Sequence, residues 1–140
     1  MRFVLDNSIT MRWAFRNGKP EALRYALAVL DSFEGADALV PALWHLEVAN
    51  VLLAAERDAR VGEADAVSFL ARLDGLPILT DSAQPAMVRG QTFMLAREHA
   101  LSAYDAAYLE LAMREKLPLA TLDADLRKAA NRAGLKLYLV

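Results

Sequence analysis

Arg2-Phe3-Val4-Leu5-Asp6-Asn7-Ser8 is the stretch whose reading decides the fold. Phe3-Val4-Leu5 is a short apolar run rich in β-formers, the composition of a fully buried strand. It stops on an acid. Asp6-Asn7-Ser8 then reads as a turn into a helix, because Asn and Ser suit turns and Ser8 is placed to cap the helix after it. In an open α/β sheet, ligands bind in the crevice outside the carboxyl ends of the strands. Asp6 therefore stands where a functional carboxylate belongs. It also fits a plain polar turn residue, and the rest of the chain has to decide.

Outward from this stretch, helices and strands alternate. Residues 9–15 form a short helix ended by the Asn17-Gly18 turn signal. Pro20 opens a second helix to residue 33, with Leu23, Ala26, Leu27 and Leu30 at helical spacing, and Gly35 ends it. Residues 38–40 are a second strand. Residues 43–60 form a third helix, in which positions 46–55 are apolar except for Glu47 and Asn50. An apolar surface nearly all round predicts a buried helix, with Glu47 and Asn50 sharing a face. Helices over 63–73, 83–99, 102–116 and 123–133 are separated by strands at 77–80 and 117–122, with a last strand at 135–140. This alternation predicts the α/β class: one domain, residues 1–140, built as a three-layer α/β/α sandwich around a mainly parallel sheet.

Composition bounds the function. With 140 residues and 56% hydrophobic content, the chain can bury a real core and is not disordered. It has no cysteine, which excludes disulfides and thiolate metal sites and fits a reducing cytoplasm. No signal-peptide pattern and no run of ~18 apolar residues is present, so a cytoplasmic chain without a membrane span is expected. The formal net charge is -2, so the overall basic balance of an easily recognised nucleic-acid binder is missing. Sixteen Lys and Arg can still gather on one face.

The carboxylates carry the chemistry. Glu47 on a buried helix needs a partner, a proton or a metal; an ion pair with Arg12 or Arg89 is the architectural alternative. Asp105 fits a capping box with Ser102. Asp123 can cap the last helix, and Asp125 can favour its positive end. Taken together, Asp6, Asp105 and Asp123 all fall at junctions leading into helices, and Glu47 falls early in one. Two carboxylates at ~4 Å repel by roughly 4 kcal/mol at an effective dielectric of ~20. A cluster of four asks for a divalent cation, and all-oxygen ligation selects Mg²⁺ or Mn²⁺ over zinc. His45 and His99 lack metal-pair spacing with these acids and read as structural.

Four blocks in order then resemble the PIN-domain ribonucleases, specifically the toxin half of VapBC-type toxin–antitoxin pairs. They are Val4-Leu5-Asp6-Asn7-Ser8; Val40-Pro41 through Leu46-Glu47-Val48-Ala49-Asn50-Val51-Leu52; Leu101-Ser102-Ala103-Tyr104-Asp105-Ala106-Ala107-Tyr108; and Leu119-Ala120-Thr121-Leu122-Asp123-Ala124-Asp125-Leu126. The resemblance spans essentially the whole chain. It implies an acidic tetrad at Asp6, Glu47, Asp105 and Asp123, with Asp125 a close rival for the fourth place. It implies Ser8, Asn50 and Thr121 as residues that orient the acids or water. It further implies one or two Mg²⁺ ions (Mn²⁺ in their stead), with Asp6 and Asp105 as direct ligands and Glu47 and Asp123 holding water or a second ion. The expected activity is endoribonuclease cleavage by activated water; the expected partners are RNA, a cognate antitoxin and a second copy of the chain. Arg12, Arg16 and Lys19 follow the first acid and are the candidates for drawing the RNA backbone. The second helix, with Tyr25 and Phe33, offers either core packing or a groove for the antitoxin.

Three other readings compete. An aspartate-nucleophile phosphatase wants Asp-x-Asp-x-Thr after its first strand, but Ser8 stands where its general acid belongs. A toprim-type site finds its Asp-x-Asp at Asp123-Ala124-Asp125, but Glu47 lies on a helix and Asp6 is left idle. A PIN scaffold serving only to bind RNA or protein would not need all four acids.

Overall fold

The computed structural model describes residues 1–140. Its strands are β1 (Arg2–Leu5), β2 (Asp37–Val40), β3 (Ile78–Thr80) and β4 (Leu119–Ala120). Its α-helices are α1 (Asn7–Ala14), α2 (Pro20–Asp31), α3 (Leu43–Arg57), α4 (Glu63–Asp74), α5 (Pro85–His99), α6 (Ala103–Glu115) and α7 (Ala124–Arg132). A 3₁₀ turn over Ser32–Glu34 extends α2. The four strands form one sheet in the order β3-β2-β1-β4, and every pairing is parallel. With its helices this makes the expected three-layer α/β/α arrangement. No helix is long and apolar enough to cross a membrane.

Strand order explains where the site lies. From β1 the chain winds outward through β2 to β3, then returns to place β4 on the other flank of β1. The direction of winding therefore reverses between β1 and β4, and a crevice opens there at the strands' carboxyl ends. Asp6 follows β1 and Thr121 follows β4, so both stand at that crevice.

The core runs through β1, where Phe3, Val4 and Leu5 are fully buried, and through α6, where every residue from Ala106 to Ala112 is buried. The buried helix is thus α6 rather than α3. In α3 the inward residues are Trp44, Val48, Leu52 and Ala55, one stripe at helical spacing. Leu46 is 75% exposed and Leu53 is 54% exposed, so apolar composition there does not mean burial. Glu47 lies at the edge of the inward stripe, three residues after Trp44.

Two predicted strands are shorter than the sequence suggests. In β4 only two residues pair with β1. Pro118 before it has no amide hydrogen to give, and the Leu122 amide after it is drawn to Ser8 Oγ (3.0 Å). The predicted terminal strand at 135–140 reduces to a bridge between Leu137 and Leu119. Leu139, at φ +59°, turns the chain out of strand geometry. Tyr138 is pinned by side chains instead: it stacks on Phe3 at 4.0 Å, and its carbonyl accepts from Tyr25 Oη at 2.7 Å. Phe33 packs against Phe3 and Trp13. Tyr25 and Phe33 are therefore used in packing, one of the two roles expected of them. Gly18, in the connection between α1 and α2, stands at φ +88°, and a side chain there would press on the Arg12 guanidinium, which donates to the Asn17 carbonyl.

Candidate active site

Asp6 is the fixed point of the site. It is 5% exposed, and its Oδ2 accepts two hydroxyls, Ser8 Oγ at 2.6 Å and Thr121 Oγ1 at 2.7 Å. Each hydroxyl is itself oriented by a backbone amide of the turn after β4. Leu122 N–H donates to Ser8 Oγ, and Asp123 N–H donates to Thr121 Oγ1, both at 3.0 Å. The turn thus aims both hydroxyls at one carboxylate oxygen. Ser8 does not cap α1; it lies inside the helix and faces Asp6. Asp6 itself occupies the cap position, but its side chain makes no capping bond.

The other acids approach from separate elements. Glu47 comes from α3 and accepts a hydrogen bond from Tyr108 Oη on α6. Neither Arg12 nor Arg89 pairs with it, which removes the ion-pair alternative. Asp105 lies in the first turn of α6, and its amide donates to Ser102 Oγ at 3.1 Å. Asp123 caps α7, accepting from Leu126 N–H at 2.8 Å through Oδ1. Asp125 is exposed in the first turn of α7. Asn50 is exposed and takes no part in the hydrogen bonds around the acids. His45 ties α3 to β3 through Thr80 Oγ1 at 2.8 Å, an architectural role.

The acids feel one another. Burial raises the pKa of Asp6, and the charges of Asp105 and Asp123 push it the same way against the lowering effect of Ser8 and Thr121. Glu47 is raised by burial and by Asp6 and Asp105, against the Tyr108 hydrogen bond. Asp105 is raised by burial and then by Asp123, with Asp125 contributing least. Of the two rivals on α7, Asp123 acts on both Asp6 and Asp105, whereas Asp125 acts on Asp105 alone. No lysine or arginine forms a salt bridge with any of the four.

The donors are all oxygen, which suits Mg²⁺ or Mn²⁺. As the side chains stand, no group of three or more acids is gathered tightly enough to hold a metal ion. A hydrated Mg²⁺ does not require that, since it commonly takes one or two carboxylates and keeps several waters. The residues fit such an ion and do not fit a closed protein cage. Ser8 and Asp123 also share a cavity of about 390 Å³ with Arg12 and Lys19. Arg16 faces a different cavity beside Trp13 and Leu30, away from the acids. The largest cavity, about 810 Å³, lies among the ends of α1, α3 and α4 and contains none of the four acids.

These shifts fix a pH dependence for the metal-free protein. Three carboxylates have folded-state pKa values above their usual 3.8 to 4.5. Their stabilising effect is full below the unfolded values and is lost as pH rises through the folded ones. Asp37, lowered by Arg2, works the other way, but only as pH falls below its usual 3.8. The urea midpoint in chelator is therefore expected to fall as pH rises from the usual carboxylate range toward neutrality. The fall should be smaller in Asp6→Asn; an unchanged fall would mean that Asp6 does not contribute to it.

The structure is an α/β/α domain with Asp6 buried at the switch point of a parallel sheet and Asp123 on the turn beside it. Residues 3–132 match the family model described as PIN domain, and the chain belongs to that family. Among solved structures, PAE2754 from Pyrobaculum aerophilum is 24% identical, covers 92% of this chain and 79% of its own, and superposes with a TM-score of 0.66. VapBC2 from Rickettsia felis, bound to a DNA fragment from their promoter, is 13% identical over 98% of this chain and 97% of that one, with a TM-score of 0.66. FitAcB from Neisseria gonorrhoeae is 21% identical over 99% and 96%, with a TM-score of 0.60. At these identities the likeness is one of fold. Comparison with curated protein sequences gives no match.

Proposed function

We propose that the chain is a Mg²⁺- or Mn²⁺-dependent endoribonuclease and the toxin of a type II toxin–antitoxin pair. The observation that carries the nuclease reading is the coupled set Asp6, Glu47, Asp105 and Asp123, free of salt bridges at the switch point of a PIN-domain sheet. The toxin reading is supported by neighbours whose structures are a VapBC2 complex, a toxin–antitoxin complex and FitAB. Its partners would be an RNA substrate, a cognate antitoxin and a second copy of the chain.

Bound in the cleft, the divalent ion would stabilise charge building on the phosphate and supply an activated water. Asp6 and Asp105 are assigned as its direct ligands. Ser8 and Thr121 occupy Asp6 Oδ2, which leaves Oδ1 without a protein donor and open to ligation. Asp123 keeps Oδ2 while Oδ1 caps α7, and Glu47 keeps Oε2 while Oε1 takes the Tyr108 hydroxyl. These two free oxygens would be available to hold water on the ion. Arg12 and Lys19 draw the RNA backbone toward Ser8 and Asp123. No side chain serves as nucleophile.

Glu47→Gln tests the reading. Gln keeps the shape and an oxygen for Tyr108 but removes the charge. The variant is expected to fold, to bind RNA and antitoxin, and to lose ~10²-fold or more of Mg²⁺-dependent cleavage. Full cleavage would remove Glu47 from the site. A wild-type protein that binds RNA but shows no Mg²⁺-dependent cleavage would instead be a binding module.

A further inference from the structure

Tyr108 is 0% exposed, deep in the core cluster, yet it carries a hydroxyl. A buried hydroxyl is costly unless it finds an acceptor, and phenylalanine would fill nearly the same space without that demand. The acceptor is Glu47 Oε1, 61 residues away in the chain. Nothing else in the protein holds the Glu47 side chain. It sits at the edge of the inward stripe of α3, beside exposed Leu46 and Ala49. A glutamate there has several rotatable bonds and open solvent on one side, so α3 alone does not fix its direction. Tyr108 also stands three residues after Asp105, on the same face of α6. One rigid helix therefore places Asp105 directly and reaches Glu47 through a phenol.

We propose that Tyr108 is a positioning residue: its hydroxyl turns Glu47 from solvent into the acidic cleft and sets its spacing from Asp105. The inference rests on the nuclease reading of the same cleft. Partners that orient metal-site residues from behind commonly contribute ~10–100-fold in metal affinity or activity.

The test is a double-mutant cycle between Tyr108→Phe and Glu47→Gln, read by Mn²⁺ binding (free-ion EPR) and by RNA cleavage. Tyr108→Phe in the wild-type background is expected to weaken Mn²⁺ binding by about 10-fold and lower kcat by ~10-fold or more, with KM for RNA unchanged. In the Glu47→Gln background, the same change is expected to alter neither quantity. Equal effects in the two backgrounds, or wild-type values for Tyr108→Phe, would overturn the proposal. Should Tyr108→Phe fold poorly, ring-fluorinated tyrosine at position 108 keeps the hydroxyl. Its ¹⁹F resonance should move on Mg²⁺ addition in wild type and stay fixed in Glu47→Gln; a resonance that ignores Mg²⁺ in both overturns the proposal as well. If wild type binds Mn²⁺ but cleaves no RNA, the nuclease reading fails alone, and the Mn²⁺ cycle still decides the role of Tyr108.

Discussion

Asp6→Asn is expected to abolish Mg²⁺-dependent cleavage while leaving the metal-free fold as stable as before, or more stable. The carboxylate is almost completely buried, no cation pairs with it, and its pKa is raised. A buried charge in that position is held against its own desolvation. Asn keeps one oxygen to accept Ser8 and Thr121, so the turn after β4 retains its partners. The loss of a direct metal ligand should lower cleavage by ~10²-fold at least. Urea midpoints in chelator near neutral pH measure the other half. A large drop there would make Asp6 a structural acceptor for the two hydroxyls, the plain reading of the turn.

Arg114 gives the opposite expectation. Its guanidinium donates to Glu110 at 2.8 and 3.2 Å and to Asp81 at 3.2 and 2.7 Å, joining α6 to the end of β3. Glu110 is 3% exposed, so without Arg114 its charge has nowhere to go. Both acids raise the Arg114 pKa, Glu110 most, as expected of a guanidinium held by two carboxylates. Arg114→Met is expected to lower unfolding free energy by about 3–5 kcal/mol. Adding Glu110→Leu should recover part of that, because the stranded charge is removed with its partner. Cleavage per folded molecule should stay at the wild-type level in both. Urea unfolding of the single and double variants measures this, and a loss below about 1 kcal/mol would place the network among weak surface pairs.

These two networks show what the sequence made legible. Asp6 was readable because a short apolar strand ending on an acid and running into a helix is a local pattern, and Asp123 because it stands at the cap position of the last helix. The parallel sheet was readable from alternation, and strand order then brought the two acids to one crevice. Glu47 was recognisable as an acid needing an explanation, but its partner was not. Arg12 and Arg89 are natural guesses for an ion pair, whereas the actual donor is a phenol on another helix. The available signal was Tyr108 lying one turn after Asp105, on the same face of the helix. Burial misled in α3, since Leu46 and Leu53 are apolar and exposed. The ends of β4 and the C-terminal segment misled because side-chain bonds from Ser8 and Tyr25 take over backbone groups that a ladder would use.

The direct test of the acidic cleft is a calorimetric titration of Mn²⁺ into wild type and into the folded Asp6→Asn/Asp105→Asn variant. Wild type is expected to bind in the absence of RNA, and the double variant to show no saturable binding at the same concentrations. Equal Mn²⁺ affinity in the two proteins would contradict the account, because the ion would then be held somewhere other than at these carboxylates.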